Sequence, residues 1–314
     1  MFVLACGTHN TTTRTAYQAA RWCALLVLPM ALGCSSFSRR WQQDEVVFAR
    51  QIAQRGMDAV DAGNWQRAEE FFAQAVEVCP VDERVQARYA DALWHRGSRK
   101  DALEHMKEAV RLSGGEPELV VRLGEMYLET GDLQRASNSA EQVILSGRQL
   151  SSAYRLRGDV RQRQGKSDEA LADYHRALAM QPQYPEVQMA IAAVYYQQDR
   201  PQRALSTLQA LAGSYPSGEE PVALLYWQGL ACKALGRPEQ AVMHLAQAEG
   251  RGLQSADLLY SLAEARQLAG DPVAAQQTLQ RAIELEPTHP DAQRLAQSIL
   301  QMPQVASRQD VGGE

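Results

Sequence analysis

The residue types that most often carry out chemistry are present in this chain, but they are not spaced for it. The five cysteines stand at positions 6, 23, 34, 79 and 232, with no Cys-x-x-Cys pair and no histidine placed to complete a zinc site. Acidic pairs such as Glu69 with Glu70 fall where a helix would face solvent, and such pairs are more often solvated charge than a general acid and base. No motif of a nucleotide-binding loop, a serine hydrolase or a zinc protease occurs. The sequence therefore predicts a protein that is not an enzyme, with no catalytic residues, cofactor or metal.

The composition favours helices and argues against nucleic acid as a partner. The chain has 314 residues, a formal net charge of −5 and a sequence pI near 5.8, and lysine and arginine form no long run. Phosphate binding needs a concentrated basic face, which this pattern does not supply. Alanine, leucine, glutamine, glutamate and arginine dominate, and runs of β-branched residues between turns are missing. We therefore expect an all-α fold.

A repeat of 34 residues organises most of the sequence. The segment GNWQRAEEFFAQAVEVCP from Gly63 returns as GKSDEALADYHRALAMQP from Gly165 and as GDPVAAQQTLQRAIELEP from Gly270. The first interval is three steps of 34, and the second is three such steps plus three residues, Glu219–Pro221. The frame places seven units at residues 49–82, 83–116, 117–150, 151–184, 185–218, 222–255 and 256–289. A period of this length predicts stacked helical hairpins.

Each unit has a small residue at its eighth position and alanine at its twentieth, for example Gly158 and Ala170. Two packed helices need small side chains where their backbones cross, and a leucine at Ala170 would overpack the crossing by about 1–3 kcal/mol. A glycine such as Gly165 marks the turn between the two helices, where the backbone takes a positive φ. Asp199 replaces this glycine in the fifth unit, and aspartate also tolerates that conformation.

This array resembles the tetratricopeptide repeat (TPR) family, whose pattern has a small residue at position eight, alanine at twenty, a bulky residue at twenty-four and proline at thirty-two. The resemblance covers residues 49–289. It implies a right-handed α-solenoid of seven TPR helical hairpins that binds proteins or peptides on its concave face. Residues 290–301 repeat the first-helix pattern with more polar residues and predict a capping helix. Residues 302–314 have no periodicity and are predicted to be a disordered tail.

The N-terminal residues resemble a bacterial lipoprotein signal peptide. The apolar run CALLVLPMALG, residues 23–33, is too short to cross a bilayer and follows Arg14 and Arg21 with no acidic residue. By this resemblance residues 1–33 are the signal peptide, Cys34 is the lipid-carrying residue, and residues 34–48 form a tether. Ordinary secretory cleavage and an uncleaved leader are the two alternatives. The lipid would place the protein at the bacterial cell envelope, facing the periplasm from the outer membrane.

A partner-binding surface is expected on the outward stripe of the first helices. In the sixth unit, Leu225, Gln228, Gly229 and Cys232 form the core stripe, which makes Cys232 a packed thiol rather than a nucleophile. The outward stripe and its equivalents in the neighbouring units carry large apolar side chains, namely Tyr196, Tyr226, Trp227, Leu230 and Tyr260. Exposed aromatic residues of this kind mark peptide-binding grooves. The alternative is that neighbouring first helices bury them.

A second candidate surface contains Arg88, Arg122 and Arg155, at positions five or six of successive first helices. Three guanidinium groups along one groove would suit an acidic segment. The acids at position nine of the same helices, Asp91, Glu125 and Asp159, favour a neutralising set of ion pairs instead. The family's carboxylate-clamp subtype has Lys and Asn at positions five and nine of the first unit, where this chain has Ala53 and Met57. The sequence does not predict that subtype.

By these two resemblances, the chain is expected to be a non-enzymatic, envelope-anchored scaffold, similar to TPR lipoproteins that aid the assembly of a multiprotein complex such as a pilus, a secretion system or the outer-membrane machinery. Its expected partners are a protein or peptide segment on the concave face and the membrane, through the lipid. The alternatives are a soluble periplasmic or cytosolic adaptor and, less favoured, an accessory subunit of an enzyme.

Overall fold

The computed structural model describes residues 44–216 and 218–301, and every regular element in these ranges is an α-helix, as predicted. Helix α1 covers residues 44–61. The remaining helices are α2 Trp65–Val78, α3 Glu83–His95, α4 Arg99–Leu112, α5 Pro117–Glu129, α6 Leu133–Leu145, α7 Ser151–Arg163, α8 Ser167–Met180, α9 Pro185–Gln197, α10 Pro201–Ala212, α11 Val222–Ala234, α12 Pro238–Gly250, α13 Ala256–Leu268, α14 Pro272–Leu285 and α15 Pro290–Gln301. Within the described ranges, no helix is both long and apolar enough to cross a bilayer.

The start of α1 differs from the predicted tether. Residues 44–48, assigned to the tether from the sequence, are already helical. The physical reason is that Val46 packs against the apolar cluster of Ala49, Ile52 and Phe72, so the amphipathic pattern extends before the first repeat. The predicted signal peptide, Cys34 and the tail 302–314 lie outside the described residues.

The chain divides into two compact blocks, with the boundary inside α5 between Met126 and Tyr127. In the N-terminal block, α3 packs against both α2 and α4. In the C-terminal block, α7 to α14 form four hairpins, and the second helix of each hairpin packs against the first helix of the next. The first helices α7, α9, α11 and α13 also contact one another in succession. They therefore present a common face of the C-terminal block.

The small residues of the repeat lie where the two helices of a hairpin cross. A Cβ atom added at Gly158 would come within 2.6 Å of the Tyr174 ring, and one added at Gly229 would come within 2.5 Å of Leu245. Ala170 is completely buried at the same kind of crossing. These distances are far below van der Waals contact, so an alanine at either position would force Tyr174 or Leu245 to shift.

The turn of the fifth unit confirms the expectation for Asp199, whose φ is 55°. The turn is held by the amide of Arg200, which donates to the carbonyl of Tyr195 at 2.9 Å, and by the amide of Asp199, which donates to Tyr196 at 3.1 Å. Gly165 makes the equivalent turn with a φ of 75°. Aspartate therefore takes the left-handed conformation that glycine supplies elsewhere.

Helix α15 covers the end of the C-terminal block and packs against α13 and α14. Its Ala292, Leu295 and Ala296 join an apolar cluster with Leu259 and Leu279. The side chain of His289 caps the helix, because its Nδ1 accepts the amide hydrogen of Ala292 at 3.2 Å. The other ring nitrogen, Nε2, lies 3.0 Å from Asp257 Oδ1 on α13.

Candidate partner-binding surface

Four aromatic side chains from three consecutive first helices lie half-buried on the C-terminal block. We call Tyr196 of α9, Tyr226 and Trp227 of α11, and Tyr260 of α13 the aromatic patch. The Trp227 ring centroid lies 5.9 Å from that of Tyr196 and 6.0 Å from that of Tyr226, and both pairs meet edge to face. Tyr260 lies 5.5 Å from the His289 ring. Packing between rings fixes their positions and leaves part of each ring open to a partner.

The expectation that Leu230 is exposed on this surface is wrong, because its relative exposure is only 7%. Helix α11 lies in contact with α9 and α13 as well as with α10 and α12. It is apolar around most of its circumference, and Leu224 and Ala231 are also buried. The outward stripe that would face water on an isolated hairpin is therefore partly covered by neighbouring helices, and Leu230 belongs to the packed interior.

Polar groups surround the aromatic patch and make its rim suitable for hydrogen bonding. Burial raises the pKa of Tyr226, whose hydroxyl also hydrogen-bonds Ser261. Burial together with the carboxylate of Glu264 raises the pKa of Tyr260 to about 12. Lys233 Nζ lies 2.5 Å from Glu264 Oε2 and 5.6 Å from the centre of the Tyr260 ring. These hydroxyls stay protonated at neutral pH, so apolar ring faces stand beside groups that donate and accept hydrogen bonds.

Two of the three predicted arginines are neutralised, as the acids at position nine indicated. In the N-terminal block, Arg122 Nε donates to Asp91 Oδ1 at 2.8 Å, and Nη1 donates to Glu125 Oε2 at 3.2 Å. In the C-terminal block, Arg155 Nη1 donates to Asp159 Oδ2 at 2.9 Å, and Nε donates to the Tyr184 hydroxyl at 2.8 Å. These guanidinium groups are held by their own neighbours.

Arg88 departs from this pattern. Its side chain is exposed, and its Nη1 contacts the sulfur of Met57 on α1. Among the described residues, Arg88 forms no ion pair with a carboxylate. It also lines a cavity with Arg50 and Arg84.

The described residues contain no group of three or more His, Cys, Asp or Glu side chains placed to hold a metal ion. Cys232 is 1% exposed and lies 3.9 Å from Gln240 Oε1. Burial raises the pKa of its thiol, so the thiolate is disfavoured at this position.

Comparison with models of protein families identifies the same repeats as the helical hairpins of the structure. Tetratricopeptide repeat models match residues 54–117, 155–219 and 257–289, which together make up just over half of the chain. The chain belongs to the tetratricopeptide repeat family. TPR repeats are protein-interaction modules, and the all-helical hairpins of both blocks agree with an α-solenoid of such repeats. No curated protein is significantly similar in sequence.

Several solved structures share the TPR fold with this chain at low sequence identity. A tetratricopeptide repeat protein from Parabacteroides merdae is 14% identical with a TM-score of 0.60, and the match covers 80% of this chain and 98% of that one. The Cut9–Hcn1 hetero-tetramer of APC/C gives 14% identity and a TM-score of 0.69 over 79% of this chain, which spans 48% of the matched chain. PilF of Pseudomonas aeruginosa gives 17% identity and a TM-score of 0.55, over 71% of this chain and 99% of that one.

Two features of this TPR chain were not predicted from the sequence. The first is the cavity of Arg50, Arg84 and Arg88, although a signal existed, because Arg50 and Arg84 both stand second in their units. The second is the contact of His289 with Tyr260, which joins a residue of the last junction to the aromatic patch. No local sequence pattern predicts that contact, since it depends on how α15 packs against α13 and α14.

Proposed function

We propose that this chain is a non-enzymatic scaffold that binds a protein or peptide segment at the aromatic patch. The observation that carries the proposal is the row of half-buried aromatic side chains on α9, α11 and α13. Tyrosine and tryptophan supply large contact areas with little loss of conformational entropy, and they dominate the binding energy of many interfaces. The hydroxyls at the rim add hydrogen bonds that orient a bound segment.

The scaffold is proposed to act at a bacterial cell envelope, anchored in the outer membrane by a lipid on Cys34 and facing the periplasm. The support is the sequence of the leader, with its short apolar run and Gly33 before Cys34. The complex it helps to assemble is proposed to be a pilus, a secretion system or the outer-membrane machinery. Without the lipid, the same surface would serve a soluble adaptor.

Replacement of Trp227 tests the role of the aromatic patch. Partners are first identified by cross-linking in the native cells, and their affinities for purified wild-type and Trp227→Ala chains are then measured by titration calorimetry. We expect the replacement to weaken binding by about 2 kcal/mol, roughly thirtyfold, because the ring lies at the centre of the patch.

The matched control is Trp65→Ala in α2, which removes a half-buried tryptophan that stacks on His95 in the N-terminal block. This variant should bind like the wild type. Thermal unfolding of both variants separates lost binding from lost structure. Unchanged affinity of every identified partner for folded Trp227→Ala would rule out the aromatic patch as the binding surface.

A further inference from the structure

A cavity of about 200 Å³ opens between α1 and α3 in the N-terminal block, and its charged lining is entirely basic. The lining residues are Arg50, Ala53, Gln54, Met57, Arg84, Val85 and Arg88. The three arginines provide the charge, while Ala53, Met57 and Val85 provide an apolar wall. The cavity is therefore a recess that combines cationic and aliphatic surfaces.

Asp82 holds the first of the three arginines in place. Arg50 Nε donates to Asp82 Oδ2 at 2.7 Å, and the Asp82 side chain is only 1% exposed. The other carboxylate oxygen of Asp82 accepts the amide hydrogens of Arg84 and Val85 at 2.9 and 3.1 Å, which caps α3. Both carboxylate oxygens of Asp82 thus accept hydrogen bonds from within the protein. Arg50 is oriented by it while 46% of its side chain remains exposed.

The other two arginines carry charge that the described residues compensate weakly. Arg84 lies 3.8 Å from Glu83, and 73% of its side chain is exposed to solvent. Arg88 contacts the thioether of Met57, which is a weak acceptor without charge.

Two acids of the same helices have hydrogen-bond donors of their own. Asp91 accepts a hydrogen bond from Arg122, and Asp58 accepts one from the amide of Gln54. The cavity consequently presents two guanidinium groups, those of Arg84 and Arg88, for which no hydrogen bond to a carboxylate is seen among the described residues.

We propose that this cavity binds carboxylate side chains of an acidic segment of a partner protein. The planar fork of a guanidinium matches a carboxylate in a bidentate hydrogen-bonded pair, and Arg84 and Arg88 supply two such forks. The apolar wall suits the methylene groups of a glutamate or the aliphatic residue next to it. Residues 1–43 contain no aspartate or glutamate, so that segment of the chain cannot be the ligand. The site belongs to the N-terminal block and does not depend on the aromatic patch.

The test measures fluorescence anisotropy of the full chain with a labelled, capped peptide of alternating glutamate and leucine, beside the same peptide with glutamine in place of glutamate. We expect the glutamate peptide to bind and the glutamine peptide to bind at least tenfold more weakly. Arg88→Gln should weaken binding of the glutamate peptide by roughly tenfold. Arg88→Lys should weaken it less, because lysine keeps the positive charge but lacks the planar guanidinium that forms two hydrogen bonds with a carboxylate. Binding should also weaken as salt is added.

The control for net charge is Arg111→Gln, an exposed arginine of α4 that pairs with Glu108. This variant should bind like the wild type. Equal binding of both peptides, or equal effects of Arg88→Gln and Arg111→Gln, would overturn the proposal. So would Arg88-dependent binding of inorganic phosphate or anionic lipid vesicles in place of the peptide. If the peptide binds only after deletion of residues 302–314, which carry Asp310 and Glu314, the ligand is the chain's own tail and the proposal is wrong.

Discussion

At the residue scale, glycine at the eighth position of a unit is required by the ring it faces. Tyr174 is completely buried opposite Gly158, and its hydroxyl donates to Asp159 Oδ1 at 2.8 Å, so the ring cannot move away freely. Gly158→Ala gains about 1 kcal/mol of helix propensity, whereas overpacking costs about 1–3 kcal/mol. We expect a net loss of about 1 kcal/mol in the free energy of unfolding, measured by urea denaturation.

The control for this substitution is Gly250→Ala, at the end of α12. An added Cβ atom there would meet no atom within 4 Å, and the backbone does not have a positive φ. Only the propensity term acts, so this variant should be as stable as the wild type or slightly more stable. Equal stability of the two alanine variants would show that the crossing at Gly158 has room to relax.

Asp173 is a second residue whose role depends on complete burial. Its carboxylate accepts hydrogen bonds from Arg157 at 2.7 and 2.8 Å, from Arg161 at 2.6 Å and from Arg176 at 3.2 Å. Removal of one partner from a buried ion pair leaves uncompensated charge, so Asp173→Ala should destabilise the chain by about 3 kcal/mol in urea denaturation. Glu108→Ala, which breaks an exposed pair on α4, should leave the urea midpoint close to that of the wild type, because solvent screens this pair. If both variants unfold at the same urea concentration, the prediction is wrong, and Arg157 and Arg161 of α7 turn to solvent when the carboxylate of Asp173 is removed.

At the scale of elements, the sequence pattern predicted the hairpins because the requirement that creates them is local. Closely crossed helices need small residues at fixed positions, and tight turns need a residue such as Gly165 or Asp199 that takes a positive φ. Leu230 was placed wrongly because its burial depends on α9 and α13, which flank α11. The basic cavity was missed because it joins two helices of different units. Contacts within a hairpin can thus be predicted from the sequence of one repeat unit, whereas contacts between the first helices of different units cannot.

The capping helix provides a prediction at this scale. Leu295 and Ala296 of α15 cover an apolar cluster that includes Leu259 and Leu279. A chain that ends at His289 would leave this cluster open to water, with an expected loss of about 2 kcal/mol for one leucine-sized contact. The urea midpoint should fall, and light scattering should show self-association through the exposed face.

The matched truncation removes only residues 302–314 and keeps α15 intact. It should leave the urea midpoint and the oligomeric state unchanged. If the longer truncation is as stable and as monodisperse as this one, α15 does not act as a cap.

At the scale of the whole molecule, a repeat chain allows separate surfaces to serve separate partners, because each hairpin depends chiefly on its neighbours. The N-terminal block carries the basic cavity with an apolar wall, and the C-terminal block carries the aromatic patch with a hydroxyl rim. The two surfaces differ in chemistry: the first favours carboxylates, whereas the second favours apolar side chains. A scaffold that joins two components of an assembly needs this difference, since it prevents one partner from occupying both surfaces.

The proposed anchor gives the prediction on which the location of the scaffold depends. Lipid attached to Cys34 would bind the chain to membranes, because each buried CH₂ group contributes about 0.8 kcal/mol and stable anchoring takes two or more acyl chains. In the native cells we expect the wild type in the membrane fraction, with a diacylated or triacylated N-terminal peptide that begins at Cys34 by mass spectrometry. Cys34→Ser should move the chain to the soluble fraction, whereas Cys79→Ser, which alters a buried cysteine of the first repeat, should not. An unmodified N-terminal peptide, or one that begins at Met1, would remove the anchor and favour the soluble adaptor, with the aromatic patch and the basic cavity left as its binding surfaces.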